Sequence, residues 1–271
     1  MKKNSKNKIN YKYFIYNFII KLITYLVPYR IFYNIQKITL YCQGKGYVPY
    51  YIEDEITSCK KLLGNREIKV IFDIGAHKGK YTEQLLKYFR EAKYYLFEPN
   101  KLNYNKLRIK FFNLPNINVI NKALSDENKN SFLYLDKPES VLASLVKRRM
   151  NHFNTKFNIK KKINVTRLDN FIKSLDKRII VDYCKIDAEG SEMKIINGMG
   201  KFVKRIKLIQ FEFGGSSIDF KTFFQDFWYF FKSHNFDIFR ITPIGPKLIS
   251  AYKENDEIFL TTNYIALNKS I

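Results

Sequence analysis

The stretch Val70-Ile71-Phe72-Asp73-Ile74-Gly75-Ala76-His77-Lys78-Gly79-Lys80-Tyr81-Thr82 decides the fold. Val70 to Asp73 reads as a short buried strand, nearly all apolar and rich in β-formers. A D-x-G-x-x-x-G turn follows, and then a helical pattern that puts Leu85, Leu86 and Phe89 on one face. A strand feeding a glycine turn that opens a helix is how α/β folds build a cofactor site. The glycines let backbone approach a ligand closely, and the helix start presents free N–H groups.

The turn is not a phosphate cradle. It has neither G-x-G-x-x-G nor G-x-x-x-x-G-K-[ST]. Asp73 ends the strand instead, where it repels a phosphate and suits a cationic or hydroxyl-bearing ligand. The next strand, Tyr94-Tyr95-Leu96-Phe97, ends in Glu98, the place where Rossmann-like folds put the acid that binds both ribose hydroxyls. An acid-ended glycine turn followed by an acid one strand later is the pattern of an S-adenosylmethionine site.

Outward from this centre the chain alternates strand and helix, which implies a mostly parallel sheet. A helix runs from Asn100 to about Phe112, and Asn118 to Ile120 is a third strand. Ser131 to Leu135 reads as part of a local hairpin, Ile163 to Val165 as a strand, and Ile179 to Ile186 as a long apolar strand. Ser191 to Met199 is expected to be a helix, Lys207 to Phe213 a strand, and Phe220 to Ser233 an aromatic core helix. Ile238 to Ile241 and Asn263 to Leu267 make a final strand pair. There is no internal repeat.

Directly after the longest apolar strand comes Lys185-Ile186-Asp187-Ala188-Glu189-Gly190-Ser191-Glu192. Carboxylates at the C-terminal end of a strand sit where open α/β sheets bind ligands. Strand alternation puts Lys185, Asp187 and Glu189 on one side if the strand continues that far. Glu192 falls in the first turn of a helix, where its charge suits the dipole.

The chain has 271 residues, enough for one α/β domain with an appendage. Its 48 basic and 25 acidic residues give a formal charge of +23. Such a field favours anionic partners such as a membrane surface, nucleic acid or acidic glycans; a biased composition rich in Lys, Asn, Ile, Tyr and Phe explains it equally well. Cys42, Cys59 and Cys184 are odd in number and lack metal spacing, which fits a reducing compartment, and no signal-peptide cleavage pattern is present.

The first 11 residues carry Lys2, Lys3, Lys6 and Lys8 with no acid, and are expected to be a disordered basic arm. Lys12 to Val27 is dense in Phe, Ile, Leu and Tyr, with Asn17, Lys21 and Thr24 on one narrow helical stripe. Sixteen residues rise roughly 24 Å, short of the ~30 Å hydrocarbon core. An in-plane membrane helix beside the basic arm therefore fits better than a spanning one; packing against the rest of the chain or a second copy is the other reading. Tyr29 to Tyr41 continues as a second amphipathic piece, and Gln43-Gly44-Lys45-Gly46 breaks the pattern. The boundary is placed here, with residues 1–45 as basic arm and helices and residues 46–271 as the catalytic domain.

The order of motifs resembles the FkbM-type S-adenosylmethionine-dependent methyltransferases. FDIGAHKGKYT is followed by LFEPN, NKALSD, VTRLDNFI, KIDAEGSEMKIINGM and a closing TTNYIALNK, over roughly residues 68–269. The resemblance implies a class I (Rossmann-like) α/β fold: a seven-stranded, mostly parallel sheet with helices on both faces. It implies that Asp73, Gly75, Ala76 and Gly79 hold the methionine part of S-adenosylmethionine and that Glu98 binds the ribose. Ser125 and Asp126 would border the adenine, and Asp187 would face the transferred methyl. His77 stands where the family often has asparagine.

The expected chemistry is O-methylation of a glycan or related, lipid-linked acceptor, with Asp187 or Glu189 as base. A divalent cation at these acids is the alternative; direct base catalysis is favoured, because no His joins them in sequence, and no metal ligand is assigned. His77 is a weaker candidate base, whereas His152 and His234 read as structural. Residues 139–162, with Ser144 and two basic triplets, are the expected acceptor region. Two other classes are carried. An RNA methyltransferase agrees with the charge, but no RNA-binding module and no N-P-P-[YF] motif accompanies it. A non-catalytic membrane-associated binding protein is opposed by the presence of Asp73, Glu98 and Asp187 together. The expected location is cytoplasmic, peripheral on the inner face of a membrane.

Overall fold

A computed structural model describes residues 4–47, 52–175 and 178–271, with side chains from residue 11 onward. In chain order, helices α1 (Asn4–Leu26), α2 (Tyr29–Cys42) and α3 (Ile52–Leu63) precede strand β1 (Val70–Ile74). Then come α4 (Lys80–Tyr88), β2 (Lys93–Phe97), α5 (Lys101–Lys110) and β3 (Ile117–Ile120). β4 (Ala123–Ser125), β5 (Lys129–Leu135) and β6 (Ile159–Arg167) follow, then α6 (Leu168–Lys173), β7 (Val181–Ile186) and α7 (Glu192–Asn197). β8 (Ile206–Phe213), α8 (Gly215–Phe220), α9 (Phe224–Ser233), β9 (Phe236–Thr242), β10 (Gly245–Ile249) and β11 (Thr262–Asn268) complete the chain.

The main sheet has the order β10-β9-β11-β8-β7-β1-β2-β3. β3, β2, β1, β7 and β8 are parallel, and β11 runs antiparallel between β8 and β9. Seven of these strands form the expected class I sheet. The eighth, β10, folds back on β9 as an antiparallel edge hairpin. The sequence reading missed it because Gly245 and Pro246 resemble a loop. Proline is tolerated on an edge strand, where its missing N–H costs no ladder bond.

Alternation along the central strands feeds two cores. Phe72, Ile74, Cys184, Ile209 and Phe211 face α6, α7 and α9, whereas Ile71, Tyr183 and Leu208 face α3, α4 and α5. A parallel sheet covered on both faces needs strands that are mainly apolar on both sides, and β1, β2, β7 and β8 are so, with Asp73, Asp182, Lys185 and Gln210 as their buried polar exceptions. Phe211 stacks on Phe227 with ring centroids 4.7 Å apart and on Tyr264 at 5.6 Å. The aromatic segment expected as one helix from Phe220 is two, because Lys221 adopts a left-handed φ of 53° between α8 and α9.

A second sheet, ordered β4-β6-β5, stands over the C-terminal edge of the first. β6 runs over nine residues, where the sequence suggested three, because Lys160, Lys161 and Lys162 hide its alternation. The N-terminal segment expected to be a disordered arm is helical from Asn4, with no Gly or Pro to stop it before Pro28. No described residue of α2 is buried, and the apolar side chains of α1 from Tyr11 onward are exposed. No single described helix is long and apolar enough to cross a membrane; Tyr11–Leu26 and Tyr29–Cys42 reach that length only as a pair bent by 109°.

Phe227→Ala removes the ring stacked on Phe211 from a fully buried position. The expected cost is about 3–5 kcal/mol, read as a lower urea midpoint with an unchanged slope.

Candidate cofactor and active site

The C-terminal ends of β1, β2 and β7 meet under the second sheet. There they line a partly open pocket whose non-atom space, open solvent included, is about 580 Å³. Gly75 and His77 line it from the turn after β1, Glu98 and Pro99 from β2, and Asp187, Ala188 and Glu189 from β7. Leu124, Leu133, Ser140 and Val141 form the opposite wall.

The turn after β1 is built by close approach. Gly75 has φ +85°, and a Cβ there would lie 1.8 Å from the carbonyl oxygen of Asp187. The Asp187 amide in turn donates to Ile74 O at 3.0 Å, and the Gly75 and Ala76 amides donate to Phe97 O at 3.0 and 3.1 Å. The three strand ends are thus joined through main chain. Asp73 lies behind this turn, fully buried, with Thr82 Oγ1 donating to its Oδ2 at 2.6 Å. Burial raises its carboxyl pKa, against the pull of Lys185 and Thr82, and Oδ1 has no partner.

Glu98 points into the cavity while its carboxylate is held by main chain. His77 N donates to Oε2 and Asn100 N to Oε1, each at 2.8 Å. Each oxygen keeps a further lone pair for a hydroxyl donor. Burial pushes this carboxyl up to about 7, opposed by those two N–H donors. Such a residue fits a vicinal diol, as the sequence analysis expects for the ribose. His77 itself, at φ 49°, turns Nε2 toward Glu139 O at 3.2 Å, and burial lowers its pKa.

The carboxylates after β7 have different surroundings. β7 ends at Ile186, and Glu189 adopts φ 52° ahead of Gly190 at 103°. Strand alternation therefore does not carry Glu189 to the side of Lys185; a left-handed turn aims it instead. Asp187 accepts from Lys185 Nζ at 3.0 Å. That ammonium lies 4.6 Å from the Tyr81 ring centroid. Burial disfavours its charge, but Asp187, Asp73 and Glu55 overcome this and raise its pKa. Glu189 pairs with Arg148, which is itself buried and near Asp219. Burial, and next the repulsion of Asp187, push Glu189 up to about 8 in spite of Arg148.

Glu192 staples the turn, its Oε1 accepting from Ala188 N at 2.8 Å and Gly190 N at 3.2 Å. Glu192 opens α7, in the first turn as expected, and from there its carboxylate also holds the preceding loop. Glu212, at the end of β8, was not singled out from the sequence. Burial, and then Asp187, Glu189 and Glu192, raise its pKa strongly. Its only sequence signal is an acid ending an apolar strand before Gly214-Gly215.

Of the expected site residues, Gly75, Glu98, Asp187 and Glu189 share the cavity. Asp73, Ala76 and Gly79 stand behind its wall; a Cβ on Gly79 would meet Phe111 at 2.7 Å. Ser125 and Asp126 are not among the lining residues, and Lys122, Ala123 and Leu124 take that place. β4 pairs with β6 there, and Gly198 beside α7 packs so tightly on Ser125 that a Cβ would sit 2.0 Å from its carbonyl oxygen. Ser144 is engaged too, donating to Glu189 O at 2.9 Å. Among the described residues no group of three or more His, Cys, Asp or Glu side chains has metal-binding geometry.

A doubly wound sheet with a buried acid after its second strand and a glycine turn at its carboxyl edge defines a Rossmann-like methyltransferase fold. The methyltransferase FkbM domain matches residues 73–238, more than half the chain, and the protein belongs to that family of S-adenosylmethionine-dependent methyltransferases. No curated protein matches the sequence. Among solved structures, precorrin-6y C5,15-methyltransferase from Geobacter metallireducens is similar at 11% identity and TM-score 0.43, over 82% of this chain and 92% of that one. An rRNA methylase from Streptococcus thermophilus is similar at 10% identity and TM-score 0.44, over 82% and 96%. TrmK of M. capricolum, solved with S-adenosylhomocysteine, is similar at 15% identity and TM-score 0.42, over 82% and 69%. Likeness at this level says nothing about the acceptor.

Hydroxyls that donate to Glu98 favour its ionised form. Affinity for S-adenosylhomocysteine is therefore expected to rise as pH increases through about 7. Titration calorimetry between pH 6 and 8 checks this, and Glu98→Gln should flatten the dependence.

Proposed function

We propose that the chain transfers the methyl group of S-adenosylmethionine to a hydroxyl of a glycan or related acceptor, lipid-linked ones included. The carrying observation is that Asp187 and Glu189 share one cavity with Gly75 and Glu98. The cofactor and a pair of bases are thereby offered to the same small volume. The unsatisfied lone pairs of Glu98 and the close backbone at Gly75 are the features that fit the cofactor.

S-adenosylmethionine supplies an electrophilic methyl on a sulfonium. The protein's own work is to orient an oxygen, exclude water and accept its proton. Asp187 is the favoured base: it lines the cavity, its side chain is 41% exposed, and Lys185 fixes one oxygen. Glu189 is less free, because Arg148 holds it. A carboxylate base suits a hydroxyl, and nothing in the sequence resembles the N-P-P-[YF] element of amino-group methylation.

Residues 1–45 are read as an anchor and 46–271 as the methyltransferase domain. The anchor places the protein peripherally on the inner face of a membrane, in the cytoplasm, where lipid-linked glycans present phosphate. Three free cysteines accord with a reducing compartment.

Calorimetric titration of S-adenosylmethionine and S-adenosylhomocysteine, with and without Mg²⁺, tests the cofactor assignment. Glu98→Ala should weaken binding about 10–100-fold, the net loss of one hydrogen bond to a charged group, worth ~1.5–3 kcal/mol. Asp187→Ala should bind the cofactor normally and lose about 10²–10⁴ in kcat in an acceptor screen. Unchanged behaviour of both variants would sink the site assignment, and strong salt-sensitive binding to RNA would move the acceptor to nucleic acid.

A further inference from the structure

The chain leaves the α1–α2 elbow through the turn Gln43–Gly46, and that turn is fastened to the body rather than loose. Lys45, 7% exposed, reaches the Asp256 carboxylate at 3.3 Å and the Asn255 carbonyl. Arg240 Nη2 donates to the same Asp256 at 2.7 Å, and Gly46 N donates to Thr262 Oγ1 at 2.9 Å. Gly44, at φ +78°, lies so close to β9 that a Cβ would be 2.5 Å from Ile241 O. A buried charge triad costs desolvation and is held only in one geometry. The turn therefore sets the direction in which α2 leaves.

That direction has a functional sense. Thr242 ends β9, and Thr262 begins β11 opposite Phe213, the last residue of β8. The fastening is thus on the carboxyl edge of the parallel strands, the edge that carries Asp187. β11 lies two strands from β7, roughly 10 Å at the usual strand spacing.

The elbow's surface is suited to lipid. Nine Lys and Arg residues and no acid precede Glu53. Tyr11, Phe14, Phe18, Tyr25, Tyr29 and Ile38 are each at least 60% exposed. Apolar exposure covers most of α1 apart from the stripe of Asn17, Lys21 and Thr24, and continues on the amphipathic α2. Seven tyrosines between residues 11 and 41 have the amphipathic character favoured at headgroup level. Apolar flanks with interleaved lysines match an anionic bilayer interface.

We infer that the α1–α2 elbow lies in the interface of an anionic bilayer and, through the Lys45–Asp256–Arg240 fastening, holds the catalytic edge of the sheet toward that bilayer. The inference rests on reading the cavity at that edge as the site of methyl transfer.

The test uses the full chain with Cys42→Ser, adding one exposed cysteine for a fluorophore. Phe153→Cys places it on the catalytic edge beside Arg148, and Ile180→Cys places it just before β7, on the opposite edge. The labelled proteins are mixed with phosphatidylcholine vesicles, with or without phosphatidylglycerol, that carry a headgroup quencher. Binding is expected only with phosphatidylglycerol and should weaken with salt; the label at 153 should be quenched several-fold more than that at 180. A Gly-Ser linker inserted between Cys42 and Gln43 should keep vesicle binding and abolish the difference. Absence of vesicle binding overturns the inference, as does sedimentation as a dimer with the elbow covered; equal quenching at both positions overturns the orientation. S-adenosylhomocysteine calorimetry on the same proteins reports separately on the methyltransferase reading.

Discussion

The arrangement depends on one close contact, that of the Gly75 backbone against the carbonyl of Asp187. Side-chain-free approach at Gly75 lets the ends of β1 and β7 touch, and the Asp187 amide closes the contact by donating to Ile74 O. The parallel sheet makes this contact available, since it brings every carboxyl end to the same edge. The cavity follows, because the loops after β1, β2 and β7 must diverge around it once their roots are joined. Any side chain at position 75 would push the cofactor turn and the candidate base apart.

Electrostatics at this edge runs against the rest of the protein. The chain as a whole is strongly basic, yet Asp187, Glu189, Glu192 and Glu212 crowd into one corner with Lys185 and Arg148 between them. Burial and mutual repulsion raise Glu189, Glu192 and Glu212 above ordinary carboxylates. Such a corner favours an added positive charge, which a sulfonium carries and its neutral thioether product does not. The two buried cations then have positional duties: Lys185 fixes Asp187, and Arg148 holds Glu189 while touching Asp219. Arg148 comes from the acceptor segment expected from the sequence, so that segment meets the site through the guanidinium on the Glu189 carboxylate as well as through Ser144 on the Glu189 carbonyl.

What was legible in the sequence was whatever local pattern enforces. The acid-ended strand, the glycine turn and the acid ending β2 are consecutive in sequence and in space, so Gly75 and Glu98 were found together. Asp187 and Glu189 followed from a carboxylate pair at a strand end, although the left-handed φ of Glu189 defeated the alternation argument for its direction. Ser125 and Asp126 stand next to the lining residues Lys122, Ala123 and Leu124 and not among them, because a motif fixes chain position but not which residue faces a cavity; pairing of β4 with β6 and packing by Gly198 decide that. Glu212 and Arg148 escaped because they reach the site only through long-range folding. β6 escaped because consecutive lysines erase a period of two, and β10 because proline on an edge strand looks like a loop.

The N-terminal turn shows the same division between local and distant causes. Gly44 and Gly46 read locally as a break between two parts of the chain. The structure shows why both are glycines: each has a positive φ and presses its backbone onto β9 or Leu260. A free linker has no need of such residues, nor of a lysine buried against Asp256. The cost of desolvating that lysine is offset only where it and Arg240 share the carboxylate, which fixes a single entry path for α2. A turn that reads as a boundary in sequence is therefore a rigid joint in space, and an apolar elbow on a rigid joint presents one edge of the sheet in a fixed direction.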